Sequence, residues 1–201
     1  MKKIFVHKLA LCESQTIGEG TFVWAFAHIM EGSRIGSNCV IGDHSFVETG
    51  AEIGNDVTVK NGVMIWDGID IKDGAFIGPG VIFTNDLYPR SPRYTNVPGI
   101  SVRYSEKKNW LLPTIVSEGA TLGARAVVGP GVNIGKYAMI GAGALVTSDV
   151  PAFSLVTGTP GKIVGAVCRC GLKLEDTNGG VVSCNSCGEI IMDLDGKPEE
   201  Q

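Results

Sequence analysis

Residues 40–65, VIGDHSFVETGAEIGNDVTVKNGVMI, carry a large aliphatic residue at every sixth position. The same step of six extends well beyond this stretch. It meets twelve large apolar residues in succession, at Ile17, Val23, Ile29, Ile35, Ile41, Val47, Ile53, Val59, Ile65, Ile71, Ile77 and Phe83. After an interruption it meets six more, at Val116, Leu122, Val128, Ile134, Ile140 and Val146. A period of six fits neither a helix nor simple alternation along a strand, so it indicates a short strand and a tight turn, repeated.

Small residues accompany this repeat. Alanine often lies two residues before the aliphatic residue, at Ala51, Ala75, Ala120, Ala126, Ala138 and Ala144. Glycine often follows it, at Gly18, Gly36, Gly42, Gly54, Gly78, Gly123, Gly129, Gly135 and Gly141. Three such units close a triangular coil of about eighteen residues, with the aliphatics inside and glycine or polar residues at the corners, where a positive φ is favourable. We therefore predict an all-β fold, a parallel β-helix. The spacing alone leaves right-handed β-helices and other solenoids open.

Composition and charge exclude some functions. The 201 residues include 28 glycines spread along the chain, and the formal charge is −4. Because no lysines and arginines cluster, nucleic acid is a poor candidate for the main partner. The first residues, MKKIFVHKLALCES, lack a small-residue cleavage site, and no apolar run approaches the ~20 residues of a membrane span. We expect a mature cytoplasmic protein that does not bind membranes.

The repeat breaks after Phe83 and resumes at Val116, which lies at a distance that is not a multiple of six. Residues 84–114, TNDLYPRSPRYTNVPGISVRYSEKKNWLLPT, must therefore leave the β-helix as a loop and return to it. Long loops within compact folds are usually functional or disordered, and the arginines and aromatic residues of this one favour a function.

Four segments carry a family resemblance: residues 24–43 (WAFAHIMEGSRIGSNCVIGD), 60–69 (KNGVMIWDGI), 78–91 (GPGVIFTNDLYPRS) and 156–165 (VTGTPGKIVG). With the repeats and the loop, they make the chain similar to hexapeptide-repeat acyltransferases over roughly residues 17–167. Within that family the chain resembles the branch that N-acetylates nucleotide-linked amino sugars, such as the UDP-2-acetamido-3-amino-2,3-dideoxyglucuronate and dTDP-3-amino-dideoxyhexose N-acetyltransferases. The resemblance implies a left-handed β-helix, acetyl-CoA as co-substrate, and a homotrimer with active sites between subunits. It also implies a role in surface polysaccharide synthesis, including that of lipopolysaccharide.

Asn85 is the candidate catalytic residue. An amine on a sugar is less basic than lysine, so a useful fraction is neutral near pH 7 and little general-base help is needed. The only histidines are His7, His28 and His44. The chain therefore departs from family members that acetylate hydroxyls, which have a histidine by the loop. By resemblance, Asn85 lies beside the reacting amine and orients the amine or the carbonyl group. The alternative is an ordinary Asx turn at the start of a loop.

Six residues are candidates for binding the nucleotide sugar. They are Trp24, His28, Lys60, Arg90, Arg93 and Arg103. The three loop arginines and Lys60 would supply cations for a diphosphate or a hexuronate carboxylate. Trp24 and His28 lie off the inward column, so their side chains should face outward. We expect Trp24 to be covered by the next subunit or to stack on the nucleotide, and His28 to make a polar subunit contact or to bind substrate.

The later coils and the closing segment carry the candidates for coenzyme A. Backbone amides near Gly123, Gly141 and Ala142 are candidates for binding the pantetheine arm. The resemblance implies that Lys162 lies near the adenosine phosphates. This chain has Gly161 before that lysine, where the usual family form has alanine.

Four cysteines follow the last repeat, in residues 168–196, CRCGLKLEDTNGGVVSCNSCGEIIMDLDG. They are Cys168, Cys170, Cys184 and Cys187. Four thiolates can hold a tetrahedral zinc ion, although the first pair has one intervening residue instead of the usual two. A unit this small has too little core to fold unaided, and bound metal would supply the missing stabilisation. We expect structural zinc, with a metal-free relic of a zinc ribbon or a disulfide-linked hairpin as alternatives.

The chain is thus expected to contain a β-helix acyltransferase domain at residues 1–167, with its loop at 84–114, and a Cys-rich, zinc-ribbon-like tail at residues 168–201. The expected function is transfer of acetyl from acetyl-CoA to an amino group of a nucleotide-linked amino sugar, of the UDP-3-amino-hexuronate type. Two alternatives remain. An O-acetyltransferase is disfavoured by the missing loop histidine. A non-catalytic trimeric scaffold or a γ-carbonic-anhydrase-like protein is disfavoured by the arginine-bearing loop and by the scattered histidines.

Overall fold

The structure is a computed structural model that describes residues 3–94, 96–175 and 181–192. Before the loop the strands are β1 (Phe5–Val6), β2 (Leu11–Cys12), β3 (Phe22–Val23), β4 (His28–Ile29), β5 (Arg34–Ile35), β6 (Val40–Ile41), β7 (Phe46–Val47), β8 (Glu52–Ile53), β9 (Thr58–Val59), β10 (Met64–Ile65), β11 (Ile69–Ile71), β12 (Phe76–Ile77) and β13 (Ile82–Phe83). The loop holds the helix α1 (Pro98–Arg103) and a 3-10 turn (Lys107–Asn109). After the loop come β14 (Thr114–Val116), β15 (Thr121–Leu122), β16 (Val127–Val128), β17 (Asn133–Ile134), β18 (Met139–Ile140), β19 (Leu145–Val146), β20 (Ser154–Thr157), β21 (Lys162–Ala166), β22 (Val181–Ser183) and β23 (Ile190–Met192).

Three sheets form the sides of a triangular prism. Sheet 1 has the order β1-β3-β6-β9-β12-β15-β18-β20-β21, sheet 2 has β19-β16-β13-β10-β7-β4-β2, and sheet 3 has β17-β14-β11-β8-β5. All pairings are parallel except that of β20 with β21, and the chain visits the three sheets in turn. This is the left-handed parallel β-helix that the repeat and the resemblance predict. We call the edges between sheets 1 and 2, 2 and 3, and 3 and 1 the first, second and third corners.

The predicted inward column forms the core. Successive coils pair in register, as Val23 with Ile41 and Ile41 with Val59 do in sheet 1. Every member of the six-step is buried except Ile17, which is partly buried in the first coil. At ~1.5–3 kcal/mol for each fully buried aliphatic side chain, these columns are the main source of stability.

Glycine has two different roles at the corners. At most corners the third residue after the aliphatic has a positive φ, and it is either a glycine or one of Phe26, Asn38, His44, Asp56, Arg125, Tyr137 and Phe153. The glycine directly after the aliphatic is needed for another reason. A Cβ at Gly36 would lie 2.5 Å from the carbonyl oxygen of Gly54, and one at Gly123 would lie 2.5 Å from the nitrogen of Ala142. The expectation that these glycines supply positive φ is therefore wrong, because the close approach of successive coils requires them.

The loop leaves and rejoins the prism at the second corner. Ile71 of β11 pairs with Val116 of β14, which lies forty-five residues later in the chain, whereas Ile53 pairs with Ile71 at the usual eighteen. Backbone pairing of Asp86 with Leu111 closes the base of the loop. The loop is therefore an insertion between adjacent coils, and it leaves their register intact.

The C-terminal unit continues directly from sheet 1. Strand β21 pairs antiparallel with β20, and β22 pairs antiparallel with β23. Its small core contains Ala166, Cys168, Leu174, Val182 and Cys184, packed against Phe153 of the last coil. Across the described parts of the chain, no helix has the length and apolar character that crossing a bilayer requires.

Candidate active site

An apolar groove crosses the outer face of sheet 2. It has a volume of about 460 Å³ and is lined by Phe26, His28, His44, Ser45, Phe46, Met64 and Trp66. At its first-corner end the rings of Phe26 and His44 are 4.8 Å apart, and at its second-corner end the rings of Phe46 and Trp66 are 5.6 Å apart. The groove therefore joins two corners of the prism along a face that is wide enough for part of a small ligand.

The second-corner end of the groove leads to Asn85. The indole Nε1 of Trp66 donates a hydrogen bond to the carbonyl oxygen of Phe83, 3.0 Å away, where the loop begins. The side-chain Nδ2 of Asn85 donates a hydrogen bond to the backbone carbonyl oxygen of Asp67 at 3.1 Å. The backbone carbonyl oxygen of Asn85 accepts a hydrogen bond from the backbone nitrogen of Leu112 at 2.9 Å. These bonds fix the amide at the base of the loop, one coil above Asp67.

Asp67 brings a carboxylate to the same place. Its side chain is only 17% exposed and forms an ion pair with Lys107 of the loop. The hydrogen bond that Lys107 donates to the Asp67 carboxylate raises the pKa of Lys107. The backbone N–H of Asp67 donates to Glu48 Oε2 at 2.9 Å, which holds the turn in place. The corner thus carries an amide and a carboxylate on successive coils, and the carboxylate already holds an ammonium group.

The loop arginines lie around two tyrosines. The hydroxyl of Tyr104 donates to Asp86 and accepts a bond from Arg90 N at 2.9 Å. The Arg103 guanidinium donates to the carbonyl oxygen of Tyr88, so that side chain helps to hold the loop together. Arg93 is exposed. The Arg90 guanidinium donates instead to the carbonyl oxygen of Pro89 at 2.9 Å, so the structure does not gather the three arginine side chains at one point.

The remaining candidates for binding the nucleotide sugar lie on the outer surface of the prism. Trp24 faces outward as predicted, is 41% exposed, and stacks on Phe22 at 6.4 Å on the sheet 1 side, away from the groove. His28 also faces outward, lines the groove and lies 3.0 Å from Glu13 Oε2. Lys60 is exposed at the first corner, and its carbonyl accepts a bond from Ser45 of the groove at 3.2 Å.

The coenzyme A candidates gather at the first corner, on the last coils. The N–H groups of Gly123 and Gly141 donate to Ile140 and Val156 carbonyls at 2.7 Å, so the ladder between coils already uses them. Ala142 is exposed beside them. The segment that leads to Lys162 packs on the same corner, because Gly161 N donates to the Leu145 carbonyl at 2.6 Å. Lys162 itself is exposed at the start of β21.

The four cysteines of the C-terminal unit form one cluster. Their Sγ atoms all lie within 4.8 Å of one another, with 3.4 Å between Cys168 and Cys187 and 3.6 Å between Cys170 and Cys184. Burial raises the pKa of the Cys168 thiol to about 12. Hydrogen bonds from the backbone N–H groups of Cys187 and Ser186 lower the pKa of Cys184 to about 6.

Sequence reasoning missed two features of this site. Asp67 was not a candidate, although it lies eighteen residues before Asn85, and eighteen residues make one coil, so the spacing itself predicts that the two positions stack. His44, which the sequence allows to be plain surface, lines the groove beside Phe26. The position of His44 follows from the positive φ of this corner residue. The repeat does not reveal that the ring of Phe26 covers the His44 ring.

Comparison with known proteins agrees with the repeat and the fold. The bacterial transferase hexapeptide family (six repeats) matches residues 16–49 and 113–148, and the hexapeptide repeat of succinyl-transferase matches residues 33–66. The dTDP-3-amino-3,6-dideoxy-alpha-D-galactopyranose 3-N-acetyltransferase of Aneurinibacillus thermoaerophilus is 44% identical over 192 residues, which cover 96% of this chain and 92% of that protein.

Two solved structures are also similar. One is a perosamine N-acetyltransferase from Caulobacter crescentus in complex with CoA and GDP-perosamine, at 25% identity and a TM-score of 0.42, covering 82% of this chain and 57% of that one. The other is an N-acyltransferase from Bacillus cereus in complex with dTDP and coenzyme A, at 17% identity and a TM-score of 0.49, covering 84% of this chain and 83% of that one.

The repeat, the β-helix and the full-length relative together define the class. The chain belongs to the hexapeptide-repeat transferases.

Proposed function

We propose that the protein is an acetyl-CoA-dependent N-acetyltransferase that acts on the amino group of a nucleotide-linked amino sugar. The observation that carries this proposal is the relative that is 44% identical over 96% of the chain, whose name specifies this reaction. The amide and carboxylate of the second corner support the proposal, because they follow Trp66 at the end of the groove and suit an amine that enters as an ammonium ion.

The acceptor we favour is a 3-amino-deoxyhexose linked to a nucleoside diphosphate. The name of the relative specifies a dTDP-linked 3-amino sugar that has no carboxylate. The UDP-3-amino-hexuronate type that the sequence resemblance implies stays a prediction. The two differ in the nucleoside, and the hexuronate carries one additional negative charge, so the exposed Arg93 would matter more for a hexuronate.

The reaction needs little from the protein beyond positioning. The neutral amine attacks the thioester carbonyl, the carbon–sulfur bond breaks, coenzyme A leaves as a thiolate that takes up a proton, and the amine nitrogen loses one to solvent. Asp67 binds the ammonium form, in the place that Lys107 holds in this structure, and the ammonium group loses one proton to solvent before the neutral amine attacks. Asn85 then orients the amine or donates to the oxyanion.

The candidates for binding acetyl-CoA, the acetyl donor, and those for binding the amino sugar, the acetyl acceptor, lie on different corners of one chain. Asn85 and Asp67 are at the second corner, and Ala142 and Lys162 are at the first. A second copy that brings its first corner against this second corner would join them, so we propose a homotrimer with each active site between two subunits. His28 and Lys60 adjoin the groove between these corners, and Trp24 would then be covered by a neighbouring subunit.

A substrate panel tests the activity. The full chain would be assayed for release of free coenzyme A with dTDP- and UDP-linked 3-amino and 4-amino sugars, a UDP-3-amino-hexuronate, and the matching hydroxyl sugars. We expect turnover with a 3-amino sugar, none with its hydroxyl counterpart, and loss of turnover in Asp67→Ala. Turnover with the hydroxyl sugars alone would identify an O-acetyltransferase, and no turnover with any member would contradict the proposal.

Two parts of the proposal concern the cell. We propose a cytoplasmic location, where the four thiols of the C-terminal unit stay reduced. We also propose that the product enters surface polysaccharide synthesis, including that of lipopolysaccharide, because nucleotide-linked sugars are activated for transfer. Deletion of the gene should then remove one N-acetyl group from the surface glycan, which mass spectrometry of the glycan would detect.

A further inference from the structure

The acetyl transfer proposed above does not use the four cysteines, so their role is a separate question. Sulfurs that surround a zinc ion tetrahedrally at ~2.3 Å lie ~3.8 Å from one another. The four Sγ atoms here are all within 4.8 Å of each other, and every described cysteine is a free thiol. The cluster therefore has the size and the donor set of a closed tetrathiolate shell, with no position open for a substrate.

Each cysteine pair is followed by a glycine turn. Gly171 and Gly188 have φ values of 87° and 73°, and they donate to the carbonyls of Cys168 and Cys184 at 2.8 and 2.9 Å. Only a residue that tolerates positive φ can close such a turn without strain. Two glycine turns, closed by hydrogen bonds over three and four residues respectively, therefore present the two pairs to one centre.

The short spacing of the first pair has its own structural consequence. Arg169 is the single residue between Cys168 and Cys170, and its guanidinium carbon lies 5.0 Å from the centre of the Tyr137 ring. Arg169 Nε also lies 3.2 Å from Glu189 Oε1. Because its two neighbours both belong to the cluster, Arg169 is held against the third corner only while the cluster stays together.

The third corner is built to receive this contact. Tyr137 and Phe153 occupy positive-φ positions of successive coils, and their rings stack at 5.5 Å. Phe153 also packs in the small core of the C-terminal unit, and Tyr137 donates a hydrogen bond to Glu118 at 3.0 Å. Two aromatic rings on one corner would be exposed if the C-terminal unit came away.

We propose that Cys168, Cys170, Cys184 and Cys187 bind one zinc ion, and that the zinc-loaded unit is a clamp that covers the last coils at the third corner. The end of a solenoid leaves its last coil without a neighbouring coil, and the C-terminal unit covers that coil. The apolar core that the described part of the C-terminal unit forms is too small to hold the unit in place without metal. The clamp is therefore metal-dependent, whereas the β-helix is not.

Metal analysis tests the site. The full chain, purified without chelator and then incubated with zinc chloride under reducing conditions, should contain about one zinc ion per chain. Cys184→Ser with Cys187→Ser should abolish binding, and Cys12→Ser, which alters a cysteine of an early coil, should not. Wild-type protein without zinc, or a double variant that keeps it, would overturn the proposal.

Zinc release tests the clamp. Arg169→Ala and Tyr137→Ala should each still bind one zinc ion but release it to a chelator several-fold faster than the wild type, with Lys173→Ala as the matched control. After zinc removal, a protease should cut beyond residue 167 while the circular dichroism of the β-helix stays unchanged. Equal release rates in all variants, or loss of the β-helix signal on zinc removal, would contradict the clamp.

Discussion

The first and second corners of the prism have the same repeat but different surfaces. Along the first corner the chain is uninterrupted, and glycines such as Gly78, Gly123 and Gly141 let successive coils approach closely. At the second corner one coil opens into a loop, and side chains such as Asp67 and Asn85 crowd around the opening. A regular corner offers a continuous backbone surface, whereas an interrupted corner offers functional side chains. We infer that the first serves the extended thioester and the second serves the amine.

The length of the first corner suits this division. From His44 at the groove to Gly141 the corner spans four coils, which at ~4.8 Å each amounts to roughly 19 Å. Coenzyme A is an elongated molecule, and Lys162 lies beyond the far end of this run. The predictions below change one corner at a time, so that each corner is tested against the other.

The largest effect is expected at the second corner. Asn85→Ala removes an amide that is anchored to Asp67, and it should lower kcat by ~10²–10³, as the loss of one oxyanion donor does. Steady-state kinetics with acetyl-CoA and the 3-amino sugar measures this. The control is Asn109→Ala, another loop asparagine, whose amide bonds to the carbonyl of Val102. Equal kcat values for Asn85→Ala and Asn109→Ala would show that Asn85 has no role in the reaction.

A smaller effect, on stability, is expected at the first corner. In Gly123→Ala the new Cβ would lie 2.5 Å from the nitrogen of Ala142, so the coils must separate, at a cost of ~1–3 kcal/mol. Thermal unfolding should show a lower Tm. The matched variant is Gly99→Ala in α1, where the Cβ meets nothing within 4 Å, and its Tm should not fall. If both variants have the Tm of the wild type, the close approach of the coils is not the reason that residue 123 is glycine.

The smallest effect is expected at Lys162. We propose that Lys162 contacts the adenosine phosphates, so Lys162→Ala should raise the KM for acetyl-CoA about tenfold and leave the KM for the amino sugar unchanged. Lys136→Ala alters an exposed lysine of the third corner and serves as the control. The two KM values, determined by varying one substrate at a time, measure this. A rise in the KM for the amino sugar instead would place Lys162 on the acceptor side.

The repeat allowed most of the fold to be predicted, because each residue of the six-step has one physical role. Val23, Ile41 and Val59 must be buried in one column once three units close a coil, and the structure places them so. The position of the loop followed in the same way, from the break after Phe83. Handedness came from the family resemblance, since spacing alone does not determine it.

The site was less predictable, because its residues come from different coils and their contacts depend on the loop. Asn85 could be named from its position, but its neighbour Asp67 required the additional step of counting one coil backwards. The ion pair of Asp67 with Lys107 joins residues that are forty positions apart in the sequence. Lys107 lies in the 3-10 turn of the loop, which does not follow the six-residue repeat, so the repeat does not predict this contact. The contact of Arg169 with Tyr137 likewise joins the C-terminal unit to the β-helix, and the six-residue repeat does not extend into the C-terminal unit.

Subunit complementation tests the central claim most directly. Chains that carry Asn85→Ala have a defective second corner, and chains that carry Ala142→Arg have a blocked first corner, so each should be inactive alone. Co-expressed in equal amounts with different tags, they should form mixed trimers in which one of the three sites combines two intact corners, or about a quarter of all sites once the unmixed trimers are counted. The account predicts recovery of about that fraction of wild-type activity. Mixed trimers with no activity would show that both corners of one site belong to the same chain, and would contradict it.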